Sequence, residues 1–315
     1  MERIALFSSK NIQNRIDAVE HGEQTSRTAW GAVELNKLFG IQLFKATNIF
    51  QTTFALFKCK QKIVYIDDFE PWLYLPFIIF QRLKNIKFVV LMHAHPYGKG
   101  RHVEKVGWLK RSIINLYTKG ITKALFFSPL SLDEAISNSN LTREQCLCIH
   151  WGEDKDYIES HYSTEEIGNG WISTGKERRD VLCLAELEQI CCNFIYIRGG
   201  LTLKQCQQKI AKAQGIVVIP SAAGLTYCTG WTTIVEALAF GKPIICVDNP
   251  YYPFNIEKEG CGIYVTNNPN DIRDTILKLQ NNPHILMNMK KNALRMSLQY
   301  NMAVFREELK EIIEK

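Results

Sequence analysis

Short apolar runs alternate with longer stretches of mixed polarity along most of the chain. The runs are rich in β-branched and aromatic residues and lie at 4–8, 63–66, 88–92, 124–128, 171–174, 193–197, 216–219, 244–247 and 262–265. Consecutive apolar positions in so short a run are typical of strands buried on both faces of a parallel sheet. The stretches between them have room for crossover helices, so the pattern predicts an α/β fold.

The segment 215–248 shows this pattern most clearly. Its first strand, 216–219, is followed by a loop of small residues that leads to Thr229 and Gly230. Apolar positions then recur at helical spacing until Gly241, where glycine favours a helix end. The sequence therefore predicts a helix whose N-terminus lies at the carboxyl end of a buried strand.

Such a helix N-terminus can bind an anion, because its first N–H groups lack intrahelical partners and the helix dipole is positive there. Glu236 lies about one turn inside the helix, within reach of a sugar hydroxyl. Donors for a diphosphate beside a carboxylate for a ribose are what a nucleotide site needs. A capped helix after a small-residue loop also occurs in βαβ units that bind nothing, so this segment alone leaves a structural role open.

A second loop has matching chemistry. Gly175 follows the predicted strand 171–174, and Lys176, Arg178 and Arg179 stand between it and a helical run. Glycine lets the backbone approach a pyrophosphate, and the cations neutralise charge that develops on a departing diphosphate. We therefore expect the two loops to share one diphosphate position.

The run Gly-Trp-Thr-Thr-Ile-Val-Glu-Ala-Leu-Ala-Phe-Gly-Lys-Pro at 230–243, preceded by Pro220-Ser221, resembles the donor-site signature of GT-B glycosyltransferases. The resemblance is greatest to the large retaining group that uses nucleotide-diphosphate sugars. It covers about 151–265 well and the first half of the chain only loosely. It implies two Rossmann-like domains with parallel sheets facing a central cleft, and a C-terminal helix that crosses back to the first domain.

The resemblance also implies roles for residues of the second domain. The diphosphate would bind at the helix N-terminus, the ribose at the buried glutamate, and the base at the loop after the strand 193–197. The donor-binding residues implied in this way are Gly175, Arg198, Gly230, Trp231, Thr232, Thr233 and Glu236. Lys176 and Arg179, or Arg178 in its place, would stabilise the leaving group.

One position departs from the family pattern. Many relatives carry another glutamate eight residues before the ribose-binding one, near the donor sugar. Cys228 occupies that position here. The sugar contact usually assigned to that glutamate is therefore in doubt.

The first domain offers histidines rather than a motif. His93 and His95 follow the buried strand 88–92, where the chain leaves the sheet. The resemblance favours His95 as a catalytic residue near the donor sugar or acceptor, with His93 on the acceptor side. His21 and Glu23 are placed in the first βα loop and are weaker acceptor-side candidates. All four have an alternative reading as ordinary structural or solvated residues.

The length of the chain and the positions of its motifs indicate how it divides into domains. The chain has 315 residues, enough for two domains of about 150 residues. We expect an acceptor domain at 1–150, a donor domain at 151–295 and a returning C-terminal helix at 296–315. The crossing between domains is expected at Gly152 and Asp154.

Composition and missing motifs exclude several function classes. Apolar residues make up 46% and charged residues 22%, with a net charge of +6. This mild charge, without a concentrated basic stripe, argues against nucleic-acid binding. The first loop lacks G-x-G-x-x-G, and no G-x-x-x-x-G-K-[ST] occurs, which argues against a dinucleotide oxidoreductase and a P-loop NTPase.

Cysteines and apolar windows bear on location. The ten cysteines lie largely on apolar runs, which favours buried free thiols in a reducing compartment over a disulfide framework. The N-terminal apolar run is too short for a signal peptide, and the window 71–80 is too short to span a bilayer. We expect a cytoplasmic protein that can contact the inner face of the membrane, for which the basic stretch 98–110 is one candidate.

The sequence therefore predicts a metal-independent glycosyltransferase without a cofactor. It would move a sugar from a nucleotide-diphosphate donor to a hydroxyl on a glycan, a lipid-linked sugar or a protein, as a step in making surface polysaccharide or glycoconjugate. Asp67-Asp68 at a strand end is interpreted as a turn or helix cap rather than a metal site. A sugar-nucleotide epimerase of the same fold and a non-catalytic nucleotide-sugar binder remain alternatives.

Overall fold

The computed structural model describes residues 3–68, 75–93, 96, 107–163, 168, 170–175, 178–222, 225 and 227–315. The chain divides into two compact units. The first unit contains 1–22, 26–150 and 305–315, and the second contains 23–25 and 151–304. The first unit is therefore discontinuous in sequence.

A parallel sheet of six strands forms the centre of the first unit. Its strands are β1 (Ile4–Ser8), β2 (Ile41–Lys45), β3 (Ile63–Ile66), β4 (Lys87–Met92), β5 (Lys123–Phe126) and β6 (Cys146–Cys148). They lie in the order β2-β1-β3-β4-β5-β6, and every paired neighbour is parallel.

Helices cover both faces of this sheet. They are α1 (Ile12–Glu20), α2 (Ala32–Phe39), α3 (Ile49–Lys58), α4 (Phe77–Lys84), α5 (Trp108–Lys119) and α6 (Pro129–Asn138), with 3-10 turns at Ser26–Ala29 and Arg143–Gln145. Local signals fix their ends. The side chain of Asn48 accepts the N–H of Gln51 at 2.9 Å to cap α3, and Ser128 caps α6 ahead of a proline at its first position.

One core cluster shows which helices share a face of this sheet. Alternate strand residues such as Phe7, Ile66 and Phe88 point into it, together with Leu56 of α3 and Phe80 of α4. Tyr117 of α5 and Leu132 of α6 belong to the same cluster. Helices α3 to α6 therefore form one layer over the sheet, because side chains two positions apart on a strand point to one face.

The second unit has a parallel sheet of five strands. Its strands are β7 (Trp171–Ser173), β8 (Phe194–Tyr196), β9 (Gly215–Val218), β10 (Ile244–Val247) and β11 (Gly262–Val265), in the order β11-β10-β9-β7-β8. Its helices are α7 (Lys155–His161), α8 (Val181–Ile190), α9 (Leu203–Lys212), α10 (Trp231–Ala239), α11 (Pro269–Gln280) and α12 (Pro283–Ser297). Helix α13 (Met302–Glu314) follows and supplies the last segment of the first unit.

Both sheets contain a topological switch point, where strand order reverses. In the first sheet it lies between β1 and β3, and in the second between β7 and β9. Ligands of open α/β sheets bind outside the carboxyl ends of the strands at this point. The topology therefore predicts that ligand-binding residues come directly after β1, β3, β7 and β9.

Several elements differ from the sequence prediction. The polar stretch 10–23 contains helix α1, and β2 and α3 were not predicted. The returning C-terminal helix was predicted at 296–315, but α12 extends to Ser297 and α13 begins only at Met302. Asn301 makes this break, because its Oδ1 accepts the N–H groups of Ala303 and Val304 at 2.9 and 3.0 Å and so starts a new helix.

The cysteines are all free, as predicted. Most are buried, but Cys148 and Cys192 are exposed and Cys206 is half-buried. Cys192 and Cys206 were predicted to be buried, so the prediction is wrong for these two. Among the helices that the structure describes, none combines the length and apolarity that a bilayer crossing requires.

Gly152 should tolerate no side chain. A Cβ there would overlap the carbonyl of Tyr300, which is backbone and cannot move aside easily. We expect Gly152→Ala to lower the free energy of unfolding by about 1–3 kcal/mol, measured by urea denaturation. Gly107→Ala is the matched control, since a Cβ at Gly107 meets nothing within 4 Å. Equal stability of the two variants would contradict this packing.

A pH-dependent pair ties α13 to the first sheet. The His150 ring nitrogen Nδ1 lies 2.6 Å from Glu308 Oε1, and this hydrogen bond raises the pKa of His150. Because the folded pKa is raised, the pair stabilises fully below the unfolded pKa and is lost as pH rises through the folded pKa. Wild type should exceed Glu308→Gln in stability more at roughly pH 5.5 than at pH 8.5. The difference should stay below about 1 kcal/mol because the pair is half-exposed; a gap that grows with pH would refute it.

Candidate functional site

Two turns of the second unit meet at the carboxyl ends of β7 and β9. The N–H of Asp180 donates to the carbonyl of Ile219 at 2.9 Å, and the N–H of Ser221 donates to the carbonyl of Arg178 at 2.8 Å. These backbone bonds join the turn after β7 to the loop after β9. The two loops that the sequence assigned to one diphosphate therefore lie side by side at the switch point.

Arg179 occupies the space between these turns. Its side chain is 6% exposed, its Nε donates to the carbonyl of Thr174 at 3.2 Å, and its Nη2 donates to Thr233 Oγ1 at 3.0 Å. An added Cβ would lie 2.7 Å from Nη2 at Gly175 and 3.5 Å from Nη1 at Gly230. The guanidinium is thus held against both glycines.

The charge of Arg179 persists in this buried position. Burial lowers the pKa of Arg179, while Tyr252, Tyr196, Tyr227 and Glu236 raise it. A guanidinium keeps its proton in proteins even when its pKa falls, because its ordinary pKa is so high. The meeting point of the turns therefore carries a fixed positive charge.

Helix α10 adds donors at the same place. Its N-cap, Gly230, has φ +91°, and a Cβ there would lie 2.6 Å from Val218 Cγ1, so only glycine fits. Within the described part of the chain, the N–H groups of Gly230 and Thr232 have no acceptor in the protein. The helix dipole is also positive here, so this end of α10 suits a negatively charged group.

Thr232 and Glu236 share one face of α10, because they are four residues apart. Thr232 is half-buried and Glu236 is buried. A ligand group at the helix N-terminus would therefore lie about one turn from this carboxylate. The helix N-terminus and Glu236 thus have the spacing on which the predicted diphosphate and ribose contacts depend, and those contacts stay a prediction.

The sequence predicted that Trp231 binds the donor, whereas its side chain is buried in the second unit. Its side chain is 3% exposed and packs edge-on against Tyr300, with ring centroids 5.2 Å apart. Its indole N–H donates to the carbonyl of Trp151 at 3.4 Å, and its backbone N–H donates to that of Cys228 at 3.1 Å. Both donors are engaged within the protein, so Trp231 anchors α10 in the core of the second unit.

Residues after β10 hold the loop that precedes α10, and sequence reasoning did not assign them this role. The hydroxyl of Tyr252 donates to the carbonyl of Thr229 at 3.0 Å, and the Asn249 amide donates to that of Tyr227 at 3.0 Å. Tyr252 is buried and its pKa is raised far above its usual value, chiefly by burial. The sequence signal for this role is the pair of polar residues just after a buried strand, because buried polar groups are usually hydrogen-bonded.

The remaining donor-side candidates are less tightly placed. Arg198 follows β8 and is exposed, with its Nη2 3.4 Å from Glu188 Oε2. Arg178, the alternative to Arg179, has φ +51° and lies over the ring of Tyr227 at 5.0 Å. Lys176 lies outside the described residues. The guanidinium of Arg179, in contrast to that of Arg178, is held by hydrogen bonds to Thr174 and Thr233 beside both glycines.

The first unit has its own polar cluster at its switch point. The hydroxyl of Ser8, the last residue of β1, donates to Asp67 Oδ2 at 2.8 Å, and Lys10 Nζ lies 3.8 Å from the same oxygen. Burial raises the pKa of Asp67, which Lys10 and Ser8 oppose. Its Oδ1 is buried and has no partner among the described residues. Asp67 is therefore part of a buried network, which differs from the predicted turn or helix cap.

His93 and Trp30 extend this cluster. His93 Nε2 lies 3.1 Å from the carbonyl of Asp67, and its ring packs edge-on against Trp30 at 4.4 Å. Trp30 has φ +53°, which is rare for a bulky residue. Such strain is concentrated at functional sites. His93 thus belongs to this polar cluster, and its acceptor-side role stays a prediction, while His95 lies outside the described residues.

The placement of His21 and Glu23 in the first βα loop is wrong. Helix α1 occupies most of that stretch, and His21 is its C-terminal cap. The Nδ1 of His21 lies 2.6 Å from the carbonyl of Asp17, one turn back in the same helix. The polar composition of α1 concealed its helical character. Both residues are exposed beyond this helix, not in the loop that follows β1.

Comparison with solved structures agrees on the fold. Anabaena HepE, solved with UDP and glucose, has a TM-score of 0.68 at 12% identity over 100% of both chains. A glycosyltransferase from Rickettsia africae has a TM-score of 0.66 at 10% identity, over 99% of this chain and 97% of that one. The UDP-GlcNAc 2-epimerase of Neisseria meningitidis, solved with UDP-GlcNAc, has a TM-score of 0.57 at 12% identity over 100% of both.

These likenesses cover nearly the whole of each chain at low identity. The protein therefore has the GT-B fold of two Rossmann-like domains with parallel sheets, as the sequence predicted. No protein-family model and no curated protein matches the sequence. The fold is shared by transferases and an epimerase, so activity has to be argued from the site.

The bond from Arg179 to Thr233 should be measurable as stability. Thr233→Val removes the acceptor while keeping the shape of the side chain, which leaves a buried guanidinium N–H without that partner. We expect a loss of about 1–3 kcal/mol in the free energy of unfolding, measured by urea denaturation. Thr232→Val, on the half-buried neighbouring position, should change stability by less than about 0.5 kcal/mol. A silent Thr233→Val would show that the bond does not hold the turns.

Proposed function

We propose that this protein is a glycosyltransferase that moves a sugar from a nucleotide-diphosphate donor to a hydroxyl acceptor. The observation that carries the proposal is the buried Arg179 guanidinium between the Gly175 turn and the N-terminus of α10. The fold supports it, since structures with the same fold include ones solved with UDP or with UDP-GlcNAc. UDP is therefore the first nucleotide to test.

The electrostatics of the second unit suit a departing diphosphate. The Arg179 charge and the N–H groups of Gly230 and Thr232 are fixed before any ligand arrives, so they need no reorganisation as negative charge develops. Lys176 would add a second cation from the adjoining turn. Glu236 would accept hydrogen bonds from the ribose hydroxyls, and Arg198 lies on the loop proposed for the base.

The proposed reaction is retaining and metal-independent. The bond from the anomeric carbon to the diphosphate oxygen breaks, and the acceptor oxygen forms its bond on the same face. The acceptor proton passes to an oxygen of the departing diphosphate. In this scheme Lys176, Arg179 and the helix N-terminus stabilise the leaving group. Retained activity with a chelator, and an unchanged anomeric configuration in the product, are the outcomes this scheme requires.

The first unit would bind the acceptor. The cluster of Asp67, Lys10, His93 and Trp30 offers a buried carboxylate, a cation and aromatic surface, which suit a hydroxylated acceptor such as a glycan or a lipid-linked sugar. His95 is retained from the sequence as the catalytic candidate of this unit. A role in polysaccharide or glycoconjugate synthesis in the cytoplasm, with contact at the inner membrane face, completes the proposal.

Nucleotide binding provides the first test. Saturating UDP should raise the melting temperature of the wild type, because it binds only the folded state. Glu236→Gln should lower UDP affinity by about tenfold or more in calorimetry, since a charged acceptor is lost. Glu186→Gln on the exposed face of α8 is the control and should bind like wild type. No binding of any nucleoside diphosphate would refute the donor site.

Turnover provides the second test. Lys176→Ala should reduce transfer from a UDP-sugar by about 100-fold or more while leaving the melting temperature nearly unchanged, because its charge acts mainly on the leaving group. Full turnover in a folded Lys176→Ala protein would remove Lys176 from the mechanism.

Two other functions have specific support. The Neisseria epimerase shares the fold, and an epimerase would isomerise the donor with no acceptor present. Cys228 in place of a family glutamate fits a protein that binds the donor without transferring its sugar. Isomerised donor would establish the first, and binding without transfer or hydrolysis would establish the second.

A further inference from the structure

Three neighbouring helices of the first unit expose large apolar side chains. Phe50 is 86% exposed and Phe54 61% on α3, and Leu83 is 74% exposed on α4. Ile79 of α4, with Trp108 and Leu109 of α5, is exposed as well. We call these six residues the apolar face. Large apolar residues grouped on adjacent helices mark an interaction surface more often than scattered ones do.

Helix α3 shows that this exposure is not a by-product of core packing. Its inward side consists of Thr52, Ala55 and Leu56, which are buried. Its phenylalanines at 50 and 54 are one turn apart and point away from the sheet. A helix that served only its own domain would show the reverse pattern, with the larger apolar residues inward.

The three helices form a continuous layer. Phe57 of α3 packs edge-on against Phe80 of α4, with ring centroids 4.7 Å apart. Lys84 Nζ at the end of α4 donates to the carbonyls of Leu56 and Phe57 at 2.7 and 2.9 Å. The side-chain amide of Gln81 in α4 donates to the carbonyl of Gly120 after α5. The apolar face therefore belongs to one supported surface.

The charge of this surface has a single sign. Helices α3, α4 and α5 contain six lysines and arginines and no aspartate or glutamate. A surface cavity of about 410 Å³ between α4 and α5 has Arg82, Lys87 and Lys119 in its lining, together with Leu116. Cations beside apolar side chains fit the phosphate and acyl regions of an anionic lipid.

We propose that this surface docks on an anionic lipid bilayer. Aromatic and leucine side chains flanked by lysine and arginine are typical of helices that lie in a membrane interface. Protein interfaces, by contrast, are depleted in lysine. The inference develops the membrane contact included in the proposed function, but it uses none of the donor-site residues. Glu236→Gln should therefore bind vesicles like wild type even where donor binding fails.

Vesicle flotation of the full chain tests the apolar contribution. Wild type should float with vesicles of phosphatidylcholine and phosphatidylglycerol, much less with phosphatidylcholine alone, and less as salt rises. The double variant Phe50→Ser/Phe54→Ser should lower the partition coefficient by about tenfold or more. Leu182→Ser is the matched control, because Leu182 is 84% exposed on α8 in the second unit, and it should float like wild type.

Charge reversal tests the electrostatic contribution. Arg82→Glu and Lys119→Glu should each weaken binding to phosphatidylglycerol vesicles by about fivefold or more, because each variant loses one cation near the membrane surface. Lys204→Glu, exposed on α9 in the second unit, is the control and should change binding little. Thermal unfolding of each variant confirms that it is folded.

Three results would overturn the proposal. The first is a wild type that does not float with phosphatidylglycerol vesicles. The second is a Phe50→Ser/Phe54→Ser protein that floats as well as wild type. In the third case, wild type sediments as a dimer that the same double variant dissociates, while neither binds vesicles. That last result would assign the apolar face to a second copy of the chain.

Discussion

The second unit depends on one buried cation. Arg179 reaches from the turn after β7 to the hydroxyl of Thr233 on α10, and its guanidinium lies against Gly175 and Gly230. A buried charge is costly unless polar atoms surround it, so the carbonyl of Thr174 and the hydroxyl of Thr233 are structural necessities. The same constraint brings a positive charge and a helix N-terminus to one place. The packing of the two turns and the proposed anion site therefore depend on one side chain.

The two units carry side chains of opposite charge at the switch points of their sheets. Each places polar groups at the switch point of a parallel sheet, where strand order reverses. The second unit places an arginine there, whereas the first places Asp67, which the hydroxyl of Ser8 and the ammonium of Lys10 stabilise. A cation suits a diphosphate, and a carboxylate suits hydroxyl groups. The proposed division into a donor side and an acceptor side rests on these residues at the ends of β1, β3, β7 and β9.

The buried strands and the turns after β7 and β9 could be predicted from the sequence because their signals are local. The strands 244–247 and 262–265 agree residue for residue, since a run of β-branched residues between turns has few other readings. Helix α1 was missed because its sequence is largely polar, and packing rather than pattern decides its state. The inward role of Trp231 could not be read either, because its partners Trp151 and Tyr300 are about 70 to 80 positions away in sequence.

The discontinuity of the first unit affects the order of folding during synthesis. Its final segment, 305–315, supplies Phe305 and Leu309 beside Gly31, and Glu308 to the ring of His150. Domains generally fold from the N-terminus as the chain emerges from the ribosome. Here the earlier unit stays incomplete until residues 305–315 have emerged, while residues 151–304 can already close their own sheet. The first half of the nascent chain therefore lacks the side chains of Phe305 and Leu309 until that segment has been made.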